Sequence, residues 1–445
     1  MISIRPHRWA WSLALAPLLG GMAPALCAPP TYHREVERIL QKQCQDCHRP
    51  GQVAPFSLLT FEQARKRSAD LVSVTHDRRM PPWPASTKEG GPFRDARILS
   101  EPEVATLAAW AEAGCPEGDA AAAPPPRRFG SGWALGEPDL ILTVPEAYTL
   151  KAEGPDEQRI FVLPTGLAAG RWVTGIEYRP GNPKVVHHVI GGVDTKRRGR
   201  VLDEADPKPG YKAFGGFGFL PEGFLSGWSP GRNDAFAPKG SGRYLPANSD
   251  LLMQVHYHPS GKEEPDQTRV GLYFAREPVD KELSVRMVSP SRKGLLGFFP
   301  DLKIPAGADH HEVRGSLVLD DDRHLVGITP HMHWLGKDFL MTATLPDGSK
   351  RTLIRVDRWD FNWQGVYDLV EALPLPKGTR IDMLAHFDNS AANPANPSSP
   401  PVEVRWGEQT NDEMCLGFLY FTRDSQHLEG KAPARFRSTT DQATR

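Results

Sequence analysis

Net charge is all but missing from this chain of 445 residues: 53 lysines and arginines stand against 54 aspartates and glutamates, with 15 histidines beside them. No bulk field favours nucleic acid or an anionic lipid surface, so polyanion binding is set aside. Cysteine is scarce, five in the whole sequence, which excludes a disulfide-stapled scaffold at this length. Long apolar runs are absent after Leu26, so no later stretch reads as a membrane-spanning helix. The excess lies in proline, 43, and glycine, 41. That falls short of a low-complexity chain and predicts many turns between short strands.

At the N-terminus Arg5, His7 and Arg8 precede an apolar run from Trp9 to Leu26, interrupted by Pro17, Gly20, Gly21 and Pro24 and followed by Cys27-Ala28. Residues 1–28 have the form of an export signal, predicting a periplasmic or otherwise extracytoplasmic mature chain of bacterial type. An uncleaved anchor is the alternative, weakened by its helix breakers. Residues 31–118 read as helical. Thr60 with Gln63 and Ser100 with Glu103 form capping boxes, and Gly114 then Pro116 end the last helix. An Ala/Pro linker at 119–130, containing Ala120 to Pro126, separates this segment from strand-like sequence with period-two patterning and turn signals. The fold class expected is a small all-α domain followed by two all-β antiparallel sandwiches, at 131–278 and 279–425, with a flexible tail at 426–445.

Cys44-Gln45-Asp46-Cys47-His48 at the end of the first amphipathic helix is the attachment signature of c-type haem in an exported chain. Two thiols three apart reach both vinyl groups and the imidazole of His48 meets one face of the iron. A redox dithiol or half a zinc site is the alternative, but no second cysteine pair completes a zinc ligand set. Met80, in Arg79-Met80-Pro81-Pro82-Trp83, is the expected sixth ligand, with His76 as its rival. The segment resembles a bacterial cytochrome c domain type through Cys47-His48-Arg49-Pro50-Gly51, Ala54-Pro55-Phe56-Ser57-Leu58, Met80-Pro81-Pro82-Trp83 and Trp110, departing from it at Cys115.

Three histidine clusters lie in strand-like sequence: His187-His188, His256-Tyr257-His258 and His331-Met332-His333. Alternate residues of a strand share a face, so His331 and His333 point into one site and Met332 away from it. Adjacent His187 and His188 bind one ion only where the strand is irregular, which predicts a bulge there. Met414, opening a further apolar strand, offers a thioether. Imidazoles with a thioether favour copper that visits Cu(I) over magnesium, calcium or hydrolytic zinc. His310-His311 reads as surface, and His324 and His386 as structural.

Val186-His187-His188-Val189, Gln254-Val255-His256-Tyr257, Pro330-His331-Met332-His333 and Asp412-Glu413-Met414-Cys415 together resemble the copper type II, ascorbate-dependent monooxygenases, the group of peptidylglycine hydroxylating and dopamine beta-monooxygenases. The resemblance spans about residues 135–422. It implies two jelly-roll-like sandwiches facing each other across a solvent-filled cleft, each holding one of two copper ions. It implies that His187, His188 and His256 bind the electron-storing copper, and that His331, His333 and Met414 bind the copper that meets dioxygen. His256 is preferred to His258 on this resemblance alone.

The chain departs from the family where peptide substrates are gripped. Thr329, Leu416 and Phe418 stand where an Arg, an Asn and a Tyr hold the substrate carboxylate, so peptide amidation is not expected. The function expected is hydroxylation of a C–H bond in a small molecule with O2, electrons arriving through the fused haem, from ascorbate or from a periplasmic cytochrome. A non-catalytic copper and haem electron-transfer protein is the alternative, with zinc hydrolysis behind it. Gly215-Gly216-Phe217-Gly218 lacks the residues of a phosphate loop, and Gly210 to Tyr244 reads as a covering loop over the first copper site.

Overall fold

The computed structural model describes residues 28–52, 54–129, 132–213, 216–229, 234–290 and 301–436. Residues 1–27 of the expected export signal (1–28), Gly215 of the glycine run and the tail beyond 436 lie outside these residues. Most of the regular structure among the described residues is antiparallel β-sheet, arranged around two separate apolar cores. No helix among the described residues is long and apolar enough to cross a membrane.

The first core is closed by two sheets. One runs Tyr211–Lys212, Glu157–Pro164, Asp250–Tyr257, Val186–Asp194, Gly223–Trp228; the other pairs Leu140–Thr143, Arg269–Phe274, Arg171–Arg179 and Ser241–Leu245, with Lys281–Glu282 parallel at its edge. Phe161, Val189 and Leu251 from one sheet meet Leu142, Val173 and Ile176 from the other. The second core lies between the sheet Ser284–Val288, Cys415–Arg423, Arg323–Met332, Tyr367–Leu375 and the sheet of Lys350–Val356, Gly336–Thr344, Arg380–Phe387 and His311–Val318. The chain crosses between them at Leu283, where pairing changes from Ser241–Leu245 to Cys415–Arg423. A hairpin turns over Pro346-Asp347-Gly348: Leu345 N–H donates to the Ser349 carbonyl, and Gly348 takes φ +84°.

The N-terminal segment differs from an all-α domain. Its helices Glu37–Gln43, Phe61–Lys66, Ser68–His76 and Glu101–Glu112 pack around Leu40, Leu58, Leu107 and Trp110, and both capping boxes form. Residues Ala85–Gly90, however, make a strand that joins the second core's sheet, Ala85 opposite Val356 and Gly90 opposite Ile354. The edge of Lys350–Val356 would otherwise leave its backbone groups unpaired. Trp83 and Phe93 flank this strand and pack on Tyr367, at ring separations of 5.2 and 5.4 Å. The helical segment is thereby fixed to the second sandwich.

Two other expectations change. Residues 426–436 are docked rather than loose: Trp172 Nε1 donates to Gly430, Leu428 is buried against Val279, and Arg435 pairs with Glu282. Apolar anchors in this charged stretch were outweighed by its composition. The 210–244 stretch is not simply a loop, since Gly223–Trp228 is an edge strand paired with Val186–Asp194. The linker lies along the first helix, Gln41 Nε2 donating to the Pro125 carbonyl and Arg127 donating to the Gln41 carbonyl. Cys115 is buried in the helical core and Cys415 in the second sandwich, both as free thiols.

Candidate metal centres

The first histidine set depends on a fault in strand register. His188 pairs with His256 but Val186 pairs with Tyr257, so His187 is an extra residue against one on the partner. This bulge turns both adjacent rings to one side. The His187 and His188 Nδ1 atoms lie 3.2 Å apart, and ligand atoms of His187, His188 and His256 all fall within 4.8 Å of one another. His256 is 3 % exposed. Its Nε2 meets Asp156 Oδ2 at 2.9 Å, and its buried Nδ1 has no protein partner. A ring held by a carboxylate on one nitrogen presents the other as a lone pair, which is the arrangement a metal ligand requires. His258 sits on the other oxygen of Asp156, at 2.7 Å, with its side chain 61 % exposed. His256 therefore joins the His187-His188 pair and His258 does not.

The second set comes from two paired strands. His331 opposes Leu416 and Met332 opposes Cys415, so the step beyond brings His333 to Met414. Met332 turns into the core, fully buried, while His331 and His333 share the opposite face. His331 Nε2 lies 3.3 Å from Met414 Sδ. Its other nitrogen is held by Gln364 Oε1, and His333 Nδ1 lies 3.0 Å from the Asp412 carbonyl. Beneath them Glu413, fully buried, accepts backbone N–H bonds from His333, Leu335 and Met414 at 2.8, 2.7 and 3.0 Å. Burial pushes this carboxyl up to about 8, against the pull of the three donors. Glu413→Ala leaves three buried N–H groups unpaired and should cost about 3–5 kcal/mol. Urea unfolding should show a lower midpoint at unchanged slope.

An aromatic ring stands between the two sets. Phe361, from the segment between Lys350–Val356 and Tyr367–Leu375, stacks on His187 at 4.9 Å and meets His333 edge-on at 5.7 Å. Ser229 Oγ donates to the Gln364 carbonyl and Thr410 Oγ1 to Asp156, so hydrogen bonds tie the sandwiches together beside the sets. A cavity of about 1190 Å³ remains. Its wall includes both histidine sets, Met414, and the Cys44, Cys47, His48 and Met80 side chains.

In the helical segment His48 Nδ1 lies 3.2 Å from the Phe56 carbonyl, which leaves Nε2 free. Burial pushes the Cys44 thiol up to about 12 and also raises Cys47, so both are protonated thiols at neutral pH. Pro55, Phe56, Leu58, Leu71 and Val74 supply an apolar wall that suits a porphyrin face. His76, 81 % exposed and paired with Asp77, is no part of this wall, which leaves Met80 as the donor facing His48's cavity.

Burial also holds the imidazoles neutral. It lowers His187 and His333 to about 3 and His331 to about 4, and His188 well below its usual value, with neighbouring rings adding to the effect for His187, His188 and His333. In metal-free protein the unfolded rings take up protons below about pH 6.5 while the buried ones do not. Stability is thus fully present above that pH and lost as pH falls toward 4. We expect a loss of ~1 kcal/mol per ring at pH 5, allowing for solvent in the cavity. Glu413 acts the other way, losing its contribution as pH rises through about 8, one carboxyl against four rings. Denaturant midpoints of the chelated protein between pH 8 and 5 measure the net slope.

Three residues of these sites, Asp156, Phe361 and Gln364, carry no motif signal and reach the histidines only through tertiary contact. Glu413 lies inside the Asp412-Glu413-Met414-Cys415 motif, but its role as a buried acceptor comes only from the fold. No family model matches the chain, and no curated protein matches it. Among solved structures, the infectious bursal disease virus VP2 subviral particle matches over 65 % of this chain and 76 % of its own at 8 % identity, with a TM-score of 0.18. The Gx strain of that virus matches over 65 % and 73 % at 10 % identity and 0.19. A Bacillus subtilis oxalate decarboxylase matches over 64 % and 82 % at 8 % identity and 0.13. Likeness this low carries no argument about fold or function.

Proposed function

We propose that this chain is an exported copper-dependent monooxygenase that hydroxylates a C–H bond of a small, largely apolar molecule, with a c-type haem on the same chain as an electron entry point. The observation that carries this reading is the convergence on one cavity of three imidazoles, two imidazoles with a thioether, and a Cys-x-x-Cys-His segment. We assign one copper to His187, His188 and His256, a second to His331, His333 and Met414, and the haem to Cys44, Cys47, His48 and Met80. Copper at these sets would supply one-electron redox chemistry and, at the sulfur-containing set, a site for dioxygen; haem would supply an electron-transfer centre. The two antiparallel sandwiches are then read as the jelly-roll-like pair of the copper type II monooxygenases.

The protein's own part is positional. Asp156 and Gln364 fix the outer nitrogens of His256 and His331, so each ring turns its free nitrogen inward. Glu413 holds the backbone on either side of the second set. Phe361 packs between the sets, against His187 and His333. The substrate floor is the cavity face of two paired strands. Thr329 lies opposite Phe418 and His331 opposite Leu416, with Met287 beside Phe418 on the next strand, all in the cavity wall. Thr329 and Tyr420 share a hydrogen bond of 3.2 Å and offer the floor's neutral polar handle. An apolar substrate suits this surface and a peptide carboxylate does not.

Metal analysis of the purified protein together with oxygen consumption tests the reading. Two coppers and one haem iron per chain, with oxygen uptake that depends on an aliphatic or benzylic substrate and a reductant, are expected. Stoichiometric copper with no substrate-dependent uptake across such a panel would reduce the protein to an electron carrier.

A further inference from the structure

A second group of imidazoles stands on the solvent face of the second sandwich. His386 on Arg380–Phe387 and Asp338 on Gly336–Thr344 are cross-strand partners, and His386 Nδ1 lies 2.7 Å from Asp338 Oδ1. Their strand neighbours Ala385, Phe387 and Phe339 are buried in the core, so both side chains point outward. His310, just ahead of His311–Val318, lies flat on His386 with ring centroids 3.9 Å apart and planes 13° from parallel. Ligand atoms of the three residues fall within 4.8 Å of one another. None of them lines the cavity.

We propose that His310, Asp338 and His386 form a further metal site, for a divalent first-row ion of the Zn²⁺ or Cu²⁺ type. Two neutral imidazoles and one carboxylate match that class, whereas magnesium and calcium require oxygen donors. Donors bonded to one such ion at about 2.0–2.2 Å lie roughly 3–4 Å apart. His386 and Asp338 are already near that separation, and the exposed His310 ring, stacked nearly parallel on His386, must swing out of the stack to turn a nitrogen lone pair on the same ion. Glu312, 3.9 Å from His386 Nε2, faces the ring nitrogen that would not ligate.

The site is preorganised, which lowers the cost of binding. Gly307 N–H donates to Asn389, Asn389 N–H to Ala308 at 2.6 Å, and Lys337 Nζ to the Asp309 carbonyl, so the turn carrying His310 is fixed to the sheet without a metal. His310 itself makes no hydrogen bond to another described residue. A face-to-face imidazole pair gains little from stacking alone. The ion then clips the segment entering His311–Val318 to two strands of the same sheet.

The test is zinc stoichiometry on the full chain. Wild-type, His310→Ala and Asp338→Asn proteins, stripped of metal and dialysed against buffered micromolar Zn²⁺, are analysed for bound zinc. The cavity histidines also take zinc, so the readout is the difference between proteins. Each variant should hold one equivalent less than wild type, with near-ultraviolet circular dichroism unchanged. Equal loading of all three overturns the proposal. Loss in Asp338→Asn alone overturns it too, because His310 would then have no part in the site.

Discussion

Cys44→Ala/Cys47→Ala protein should lose turnover driven by a reduced cytochrome by roughly 10²–10³-fold while turnover with ascorbate stays within about twofold of wild type. The size follows from tethering. The Cys44–His48 segment sits in the wall of the cavity that holds both histidine sets, and pairing of Ala85–Gly90 with Lys350–Val356 keeps it there. A donor held on the same chain acts at an effective concentration near millimolar, whereas a free cytochrome at micromolar level must find the buried sets by collision. A small molecule such as ascorbate enters the cavity by itself and needs no such relay. Stopped-flow reduction with each donor, alongside steady-state oxygen uptake, separates the two routes. Equal loss with both reductants would mean that the thiols serve the fold of the cavity and not electron entry. Met80→Ala is the companion variant. With haem attached at Cys44 and Cys47 as proposed, this variant would keep the attachment, and loss of a thioether ligand should lower the haem potential and alter its absorption while leaving ascorbate turnover in place.

Local chemistry was legible in the sequence and long-range register was not. Both capping boxes were readable because their partners sit three residues apart, Thr60 with Gln63 and Ser100 with Glu103. The bulge at His187 was readable because two neighbouring strand residues reach one ion only through such an irregularity. The alternation of His331, Met332 and His333 placed Met332 in the core for the same kind of reason. The strand Ala85–Gly90 was not readable. Its sequence, Ala-Ser-Thr-Lys-Glu-Gly, has no apolar alternation, and it is a strand because the edge of Lys350–Val356, over 260 residues away, needed a partner. Asp156 lies 100 residues before the His256 it orients and 254 before Thr410. Phe361 belongs to an aromatic-rich connection that composition alone reads as a loop. Its place between His187 and His333 comes from the docking of two sandwiches, which no local pattern encodes. His310 and His386 were set aside as surface and structural, because their meeting depends on the cross-strand register of three segments.

Met414→Ala should leave copper bound and reduce substrate-dependent oxygen uptake by roughly 10²-fold or more, about 2.7 kcal/mol on the barrier. His331 and His333 remain to hold the ion, since their outer nitrogens are fixed by Gln364 and the Asp412 carbonyl and not by the methionine. What the variant removes is the soft donor 3.3 Å from His331 Nε2, the one ligand in either set that specifically favours the reduced metal. Met414→His refines the argument. A third imidazole restores ligand number but favours the oxidised ion, so copper content should match wild type while uptake stays low. Three readings of the protein diverge here. A zinc hydrolase would show no oxygen dependence and no effect of losing the thioether. An electron carrier would show no substrate-dependent uptake even in wild type. Only a monooxygenase predicts activity in wild type that falls in both variants at constant copper, because only that reaction asks the second set to favour Cu(I) as well as to bind metal.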